Sequence, residues 1–444
     1  MPAFYWIKKI LFIMNRKLLF LERFIYGDGT IPKNITFTVK MRGTITWNNL
    51  RQALAKVQAK HPVLAAGVVE DGTGVPWFVT PAAVMPVPIR VAERYTDDDW
   101  LAVSEEECAR PFDMRNGPLM RFVWLRGANI SDLMLVCHHC ICDGASIVTV
   151  MRELLLLLDQ PDAEIGSYNS FNSIRDVVPV EVLTNAGVRF RGKLVSLLLR
   201  IFLFFAASAK PIKWGRSYFV RWQLSQEETA MLTERCRQEE VTVHAALCVV
   251  FLCAFRQVKG HQAGRKVFCP VNLRRYIPAI QPDMLLGFAT STTLTMDANP
   301  ELPLFEKIRR LNARLTNQLE HMDVYGKLAT CEYQHPLANR LERFFSNAKG
   351  NHDLTFSNMG RLDIPKYYDL FEVDTVHNPI LIFKSANPNG IIASTFNEQL
   401  SFSLLSNDAY LPEEEAVAIK DAAMELLFKE LMELAAIQAA IQGS

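Results

Sequence analysis

Leu133–Ser146 reads LMLVCHHCICDGAS. Its first five residues are apolar over the length of a short buried strand. His138 and His139 follow at the strand end, and Asp143 and Gly144 come after a turn. Beyond them Ile147, Val150, Met151, Leu154 and Leu158 fall on one helical face. Strand, paired imidazoles, turn with an acid, then helix: this order sets a titratable ring on rigid elements, beside a group able to hold it.

A neutral imidazole can take a proton from a hydroxyl or amine at neutral pH if it is held in one tautomer. No serine nucleophile elbow accompanies it, so His139 would activate an acceptor directly, without an acyl-enzyme. Gly144 suits a backbone that passes close to a substrate. Two other readings stand beside this one. The histidines could be core residues bonded to backbone carbonyls. The crowd of Cys137, His138, His139, Cys140 and Cys142 could also hold zinc, but a structural zinc wants four converging ligands, usually from two separated pairs. Neighbouring strand residues point to opposite faces, and no second pair is read elsewhere, so no metal is expected.

Outward from this stretch, Leu119 to Leu125 makes a strand that hairpins onto Leu133–Cys137 through Gly127-Ala-Asn. Ile35, Phe37, Val39 and Met41 alternate with polar residues, which predicts a half-buried strand. Thr46 caps a helix with an apolar face of Leu50, Ala53, Leu54 and Val57. Residues 97–110 read as an acidic helix. In the second half, Ser225 and Glu228 form a capping box, and Thr242 opens a helix to Val258 that is apolar nearly all round and therefore buried. Strands are expected at Val267–Val271, Ser291–Met296, Asp353–Phe356, Ile380–Phe383, Ile391–Phe396 and Leu400–Leu405. Helices are expected at Leu304–Met322 and from Pro412 to about Gln438. The whole is α+β in two halves, each a sheet with helices against it: residues 15–175, a crossover at 176–224, and residues 225–444.

From Val182 to Gln226 there is no acid, while Arg189, Arg191, Lys193, Arg200, Lys210, Lys213, Arg216 and Arg221 surround an apolar run. Read conservatively, this is a core-packed crossover helix with solvated basic flanks. Read more sharply, it is a docking surface for an anionic membrane or an acidic carrier protein.

Length and composition set the outer bounds. A chain of 444 residues suggests about two domains. Forty-eight basic and 47 acidic residues leave a net charge of +1, which excludes nucleic-acid binding by bulk charge. The nine cysteines show no disulfide framework, which predicts a reducing, cytoplasmic setting, with peripheral membrane contact through 182–226 as the alternative. The N-terminal run resembles a signal peptide but is broken by Lys8 and Lys9, so residues 1–14 read as an extra arm. No stretch is expected to reach the roughly 18 apolar residues of a membrane span.

His138-His139-Cys-Ile-Cys-Asp143-Gly144 is an HHxxxDG motif. The sequence resembles the condensation-domain and chloramphenicol-acetyltransferase-like acyltransferase superfamily, above all its stand-alone polyketide-associated and alcohol acyltransferases. Pro111-Phe-Asp-x3-Gly-Pro-Leu-x-Arg121 is similar to that family's PFDxxxGPLxR segment. Pro270-Val-Asn-Leu-Arg274 and Phe356-Ser-Asn-Met-Gly360 match further blocks, so the resemblance spans about residues 15–435. It implies a pseudo-dimer of two αβ lobes with a central tunnel. It implies a site in which His139 is the general base and Asp143 pairs with an arginine to hold the turn, with Arg274 matching that arginine's segment. His138 and Gly144 would be structural, and Asn272, Ser357 and Asn358 would lie near the substrate. The implied reaction moves an acyl group to a small-molecule or lipid hydroxyl. Its donor is an acyl-CoA or a phosphopantetheine thioester on an acyl carrier protein, and no cofactor takes part. The motif alone also fits amide formation, or a silent carrier-binding homologue.

Overall fold

Apolar strands that cannot face water on either side need a layer over each face, and the central strands of the sheet that carries the motif are covered in that way. The computed structural model describes residues 14–206, 214–287, 289–347, 350–382 and 387–442, with side chains described through residue 429. The expected arm (except Met14), Lys210, Lys213 and Phe383 lie outside these residues.

The first sheet has the order Phe371–Val376, Asn34–Gly43, Ile130–His138, Met120–Arg126, Ile89–Glu93. Met120–Arg126 and Ile130–His138 form the expected antiparallel hairpin, closed where the Gly127 amide donates to the Ile130 carbonyl at 3.0 Å. Phe37, Val39 and Met41 join the core beneath the Trp47–Lys60 and Gly144–Asp159 helices. The opposite face is buried too. Thr36 and Thr38 are each 1 % exposed, under the Asp99–Ala109 helix. The strand expected to be half-buried is therefore covered on both faces, because alternation with threonine does not require solvent.

The second sheet runs Thr290–Thr295, Lys266–Val271, Leu354–Arg361, Gly390–Phe396, Gln399–Asn407, Ser217–Gln223. Val243–Lys259 packs on it between Leu304–Glu320 and Glu413–Gln442. The Val243–Gln262 stretch, with mean hydropathy 1.4, is long and apolar enough to cross a membrane. That corrects the expectation that no such stretch exists. Its run from Ala245 to Leu252 is fully buried, so it is the core helix of this lobe.

Two features depart from a division by chain position. Phe371–Val376 and Ile380–Leu381 leave the C-terminal half and pair with Asn34–Gly43 in the first sheet. Residues 182–206 hold the end of the short Val180–Thr184 helix and the whole Ala186–Ala206 helix, in which only Gly192 and Leu203 are buried. The reading of that helix as core-packed does not hold: its outer face is apolar and exposed.

Candidate active site

Asp143 makes the turn. Its backbone is extended at the N-cap of Gly144–Asp159, and its Oδ1 accepts from the Ser146 amide at 2.8 Å and the Ser146 hydroxyl at 2.6 Å. This is ordinary helix capping by aspartate. The same carboxylate receives Arg274: Nη1 donates to Oδ2 at 2.7 Å and Nη2 to Oδ1 at 3.2 Å. The pair is largely enclosed, with side-chain exposures of 7 % for Arg274 and 11 % for Asp143. Such forked, charge-assisted bonds fix orientation as well as energy. Arg274 also donates to the Ser146 hydroxyl at 2.9 Å and to the Met284 carbonyl at 2.7 Å. Arg274 sits 131 positions from Asp143, so this bond ties the second half of the chain to the turn of the first.

His139 stands inside this turn. Its amide donates to the Lys33 carbonyl at 2.8 Å, and its Nδ1 lies 2.8 Å from the Cys142 carbonyl. A carbonyl only accepts, so Nδ1 carries the proton and Nε2 presents the lone pair. Burial lowers the His139 pKa below its ordinary value of 6.5, opposed by the Cys142 carbonyl bond and the Asp143 charge. The ring is therefore the neutral, base form at physiological pH.

His138 points the other way. It is 1 % exposed, and its Nδ1 accepts from the Cys140 amide at 3.2 Å. Phe112 meets its ring edge-on at 6.4 Å, and Arg121 lies 4.2 Å over Phe112. Arg121 donates to the carbonyls of Glu107 at 2.7 Å and Arg110 at 2.9 Å. The Pro111–Arg121 segment is thus the wall behind the first histidine. Burial pushes His138 down to about 3, and His377, stacked on Trp100 at 3.9 Å, also to about 3. Both rings protonate in the unfolded chain near 6.5 but stay neutral when folded. As pH falls from 6.5 toward 3 the unfolded state binds more protons, so stability is complete above 6.5 and declines below it. Melting temperatures at about pH 7.5 and about pH 5 should show this decline, and His138→Asn should lessen it.

Asn272 is used inside the protein: its Oδ1 accepts from the Arg274 amide at 3.0 Å and from Arg274 Nη1 at 3.3 Å. Asn358 lies in Leu354–Arg361 beside a register shift and accepts from the Gly360 amide at 2.8 Å. Ser357 precedes it on the same strand. Met359 brings this strand to the motif, since a Cβ on Gly144 would meet its Cε at 3.5 Å. That is ordinary contact, so packing against the protein does not demand glycine at 144.

Two participants carry no signal in the motif. Ser146 is a hub, since the Leu286 amide also donates to its hydroxyl at 3.0 Å. The Asp143-x-x-Ser146 capping spacing could have revealed it. Gly287 lies against the motif backbone, where a Cβ would stand 1.8 Å from the Cys140 carbonyl oxygen. Gly287→Ala must displace that turn. Overpacking of this kind typically costs about 1–3 kcal/mol. Activity should fall more than tenfold, even at temperatures where circular dichroism shows the variant folded.

The motif cysteines do not gather ligand atoms around a point. Among the described residues such a cluster lies elsewhere: His244, Cys248 and Cys269 hold theirs within 4.8 Å of one another. This corrects the expectation that no further Cys/His group exists. Three donors fall short of the four of a structural zinc site. A cavity of about 450 Å³ has Leu21, Arg191, Leu273, Thr290 and Lys327 in its walls, but not His139.

A condensation-domain family model matches residues 18–163. A phthiocerol/phthiodiolone dimycocerosyl transferase C-terminus model matches residues 215–405. A linear gramicidin synthase polypeptide of Brevibacillus parabrevis is 27 % identical over 208 residues, 44 % of this chain, and the match spans 3 % of that protein's length. Polyketide synthase associated protein 5 from Mycobacterium tuberculosis superposes with a TM-score of 0.64 at 15 % identity, covering 94 % of this chain and 100 % of that one. A trichothecene 15-O-acetyltransferase from Fusarium sporotrichioides gives 0.70 at 13 % identity, covering 93 % and 94 %. The two family models divide the chain between them, a condensation domain over residues 18–163 and a transferase C-terminus over residues 215–405, and the HHxxxDG turn lies in the first: the chain has the two-lobe fold of the condensation-domain and chloramphenicol-acetyltransferase-like superfamily, and both of its halves are similar to members of it.

Proposed function

We propose that the protein transfers an acyl group from a coenzyme A or carrier-protein thioester to the hydroxyl of a small molecule or lipid, with His139 as general base. The observation that carries this reading is the Nδ1–Cys142 carbonyl bond at 2.8 Å, which leaves Nε2 as proton acceptor on a ring kept neutral by burial. In the proposed step Nε2 takes the hydroxyl proton as the oxygen attacks the thioester carbonyl carbon. The tetrahedral oxyanion then collapses, the carbon–sulfur bond breaks, and the departing thiolate takes the proton from Nε2. The thioester is a substrate, and the step asks for no cofactor. Asp143 and Arg274 act at a distance, by fixing the turn that carries the Cys142 carbonyl.

The dimycocerosyl transferase model over residues 215–405 and the O-acetyltransferase likeness support the ester. The condensation-domain match over residues 18–163 and the gramicidin synthase relative support amide formation as a second reading. Thioester donors offered with an equimolar alcohol and amine of matched shape separate the two. Ester as the dominant product upholds the proposal, and amide as the dominant product replaces it. The unpaired state of every cysteine supports a reducing, cytoplasmic setting.

A further inference from the structure

We propose that the Ala186–Ala206 helix is an interfacial anchor that seats the protein on an anionic lipid bilayer. Phe190, Leu194, Leu197, Leu198, Ile201 and Phe205 follow one another at offsets of 4, 7, 8, 11 and 15 residues, which is a single stripe on an α-helix. They are 41 % to 74 % exposed, and Phe204 beside them is 74 % exposed. At 1.5 Å per residue the stripe is roughly 22 Å long. Solitary exposed apolar residues are common in soluble proteins, but a continuous stripe marks an interaction surface.

The helix is held firmly from behind. A Cβ on Gly192 would meet Tyr333 Cδ2 at 2.4 Å, and the Ser196 hydroxyl donates to the Tyr333 carbonyl at 3.1 Å. Leu203 packs with Phe20, Leu337 and Leu341. The outer stripe is therefore a fixed feature of a docked helix. The adjoining Ala338–Asn347 helix extends it with Phe345, 44 % exposed, and adds the exposed Arg340 and Arg343.

Charge selects the occupant. Arg189, Lys193 and Arg200 fall on one flank of the stripe and Arg191 on the other, all exposed. The helix carries no acid. Of the acids on neighbouring elements, Glu181 is exposed on the Val180–Thr184 helix, Asp323 lies 3.9 Å from Arg191, Glu332 accepts from the Phe20 amide at 2.8 Å, and Glu342 is buried against Lys33 at 3.0 Å. An apolar face with cations on both edges is the pattern of a helix lying in the membrane interface, phenylalanines among the acyl chains and basic groups at the phosphates. Four cations make it unsuited to spanning. An acidic carrier would meet the cations and leave the phenylalanines in water. A second copy would bring cationic flanks together. Arg191 also lies in the wall of the 450 Å³ cavity, as does Leu273 next to Arg274. If the acyl-transfer reading holds, a lipid hydroxyl could thus enter from the bilayer, but the docking claim does not depend on that reading.

The test is flotation of the full-length protein with phosphatidylcholine vesicles, with and without phosphatidylglycerol. Binding should require phosphatidylglycerol and weaken with salt. The triple change Arg189→Gln, Lys193→Gln, Arg200→Gln should weaken binding on the order of a hundredfold. Leu198→Gln with Phe204→Ser and Phe205→Ser should abolish it, with melting temperature and monomer mass unchanged. Three results overturn the proposal: no vesicle binding by the wild type, binding lost in the charge variant but kept in the apolar one, or a wild-type dimer that Phe204→Ser dissociates without any vesicle binding.

Discussion

His139→Ala is expected to lower kcat by about 10² to 10⁴ while leaving the fold intact, the usual range for loss of a general base. Folding should survive because the turn keeps its ties through Asp143, Ser146 and Arg274 when the Nδ1–Cys142 carbonyl bond is removed. The pH profile is a second readout. Because burial lowers the His139 pKa from 6.5, the acid limb of kcat/KM in the wild type should fall below pH 6.5, with activity lost as pH drops through it. His139→Ala should erase that limb. A folded variant that keeps more than half the wild-type rate would remove His139 from the chemistry.

Asp143→Asn should reduce stability and rate together. The amide can still accept from the Ser146 amide, so the helix cap persists. What is lost is the charge facing Arg274, whose side chain is 7 % exposed. Leaving one member of a buried pair without its partner typically costs about 3–5 kcal/mol. The turn carries the Cys142 carbonyl that orients His139, so kcat should fall as well. Combining Asp143→Asn with Arg274→Met should recover part of the lost stability, because the uncompensated guanidinium is gone. An Asp143→Asn protein with unchanged melting and lost activity would mean that Asp143 acts on the substrate itself.

The strand, turn and helix around the motif are legible in the sequence because each rests on local chemistry. An apolar run makes the strand, Asp143 the cap, and a 3.6-residue repeat the helix. Likewise Thr46 and Thr242 each receive the amide three residues on, at 3.2 Å, as their positions before apolar repeats suggest. Partnership at a distance is not legible in this way. Phe371–Val376 has an ordinary strand pattern, yet nothing local tells it to pair with Asn34–Gly43 across the lobes. Gly287 looks like any loop glycine until the Cys140 carbonyl is placed against it. The Ala186–Ala206 helix misleads for the opposite reason. A helix apolar on most sides looks like core, and only the surrounding elements decide which side stays open.

Direct transfer from thioester to hydroxyl by the neutral imidazole of His139 leaves no covalent intermediate on the protein. The most direct measurement is a single-turnover reaction of the purified protein with a thioester and an alcohol, following free thiol, ester and intact protein mass together. Thiol and ester should appear in equal amounts, in step, with the protein mass unchanged throughout and both products forming at least about a hundredfold more slowly in His139→Ala. Accumulation of an acylated protein before ester appears, or an equal rate of ester formation by His139→Ala, would contradict it.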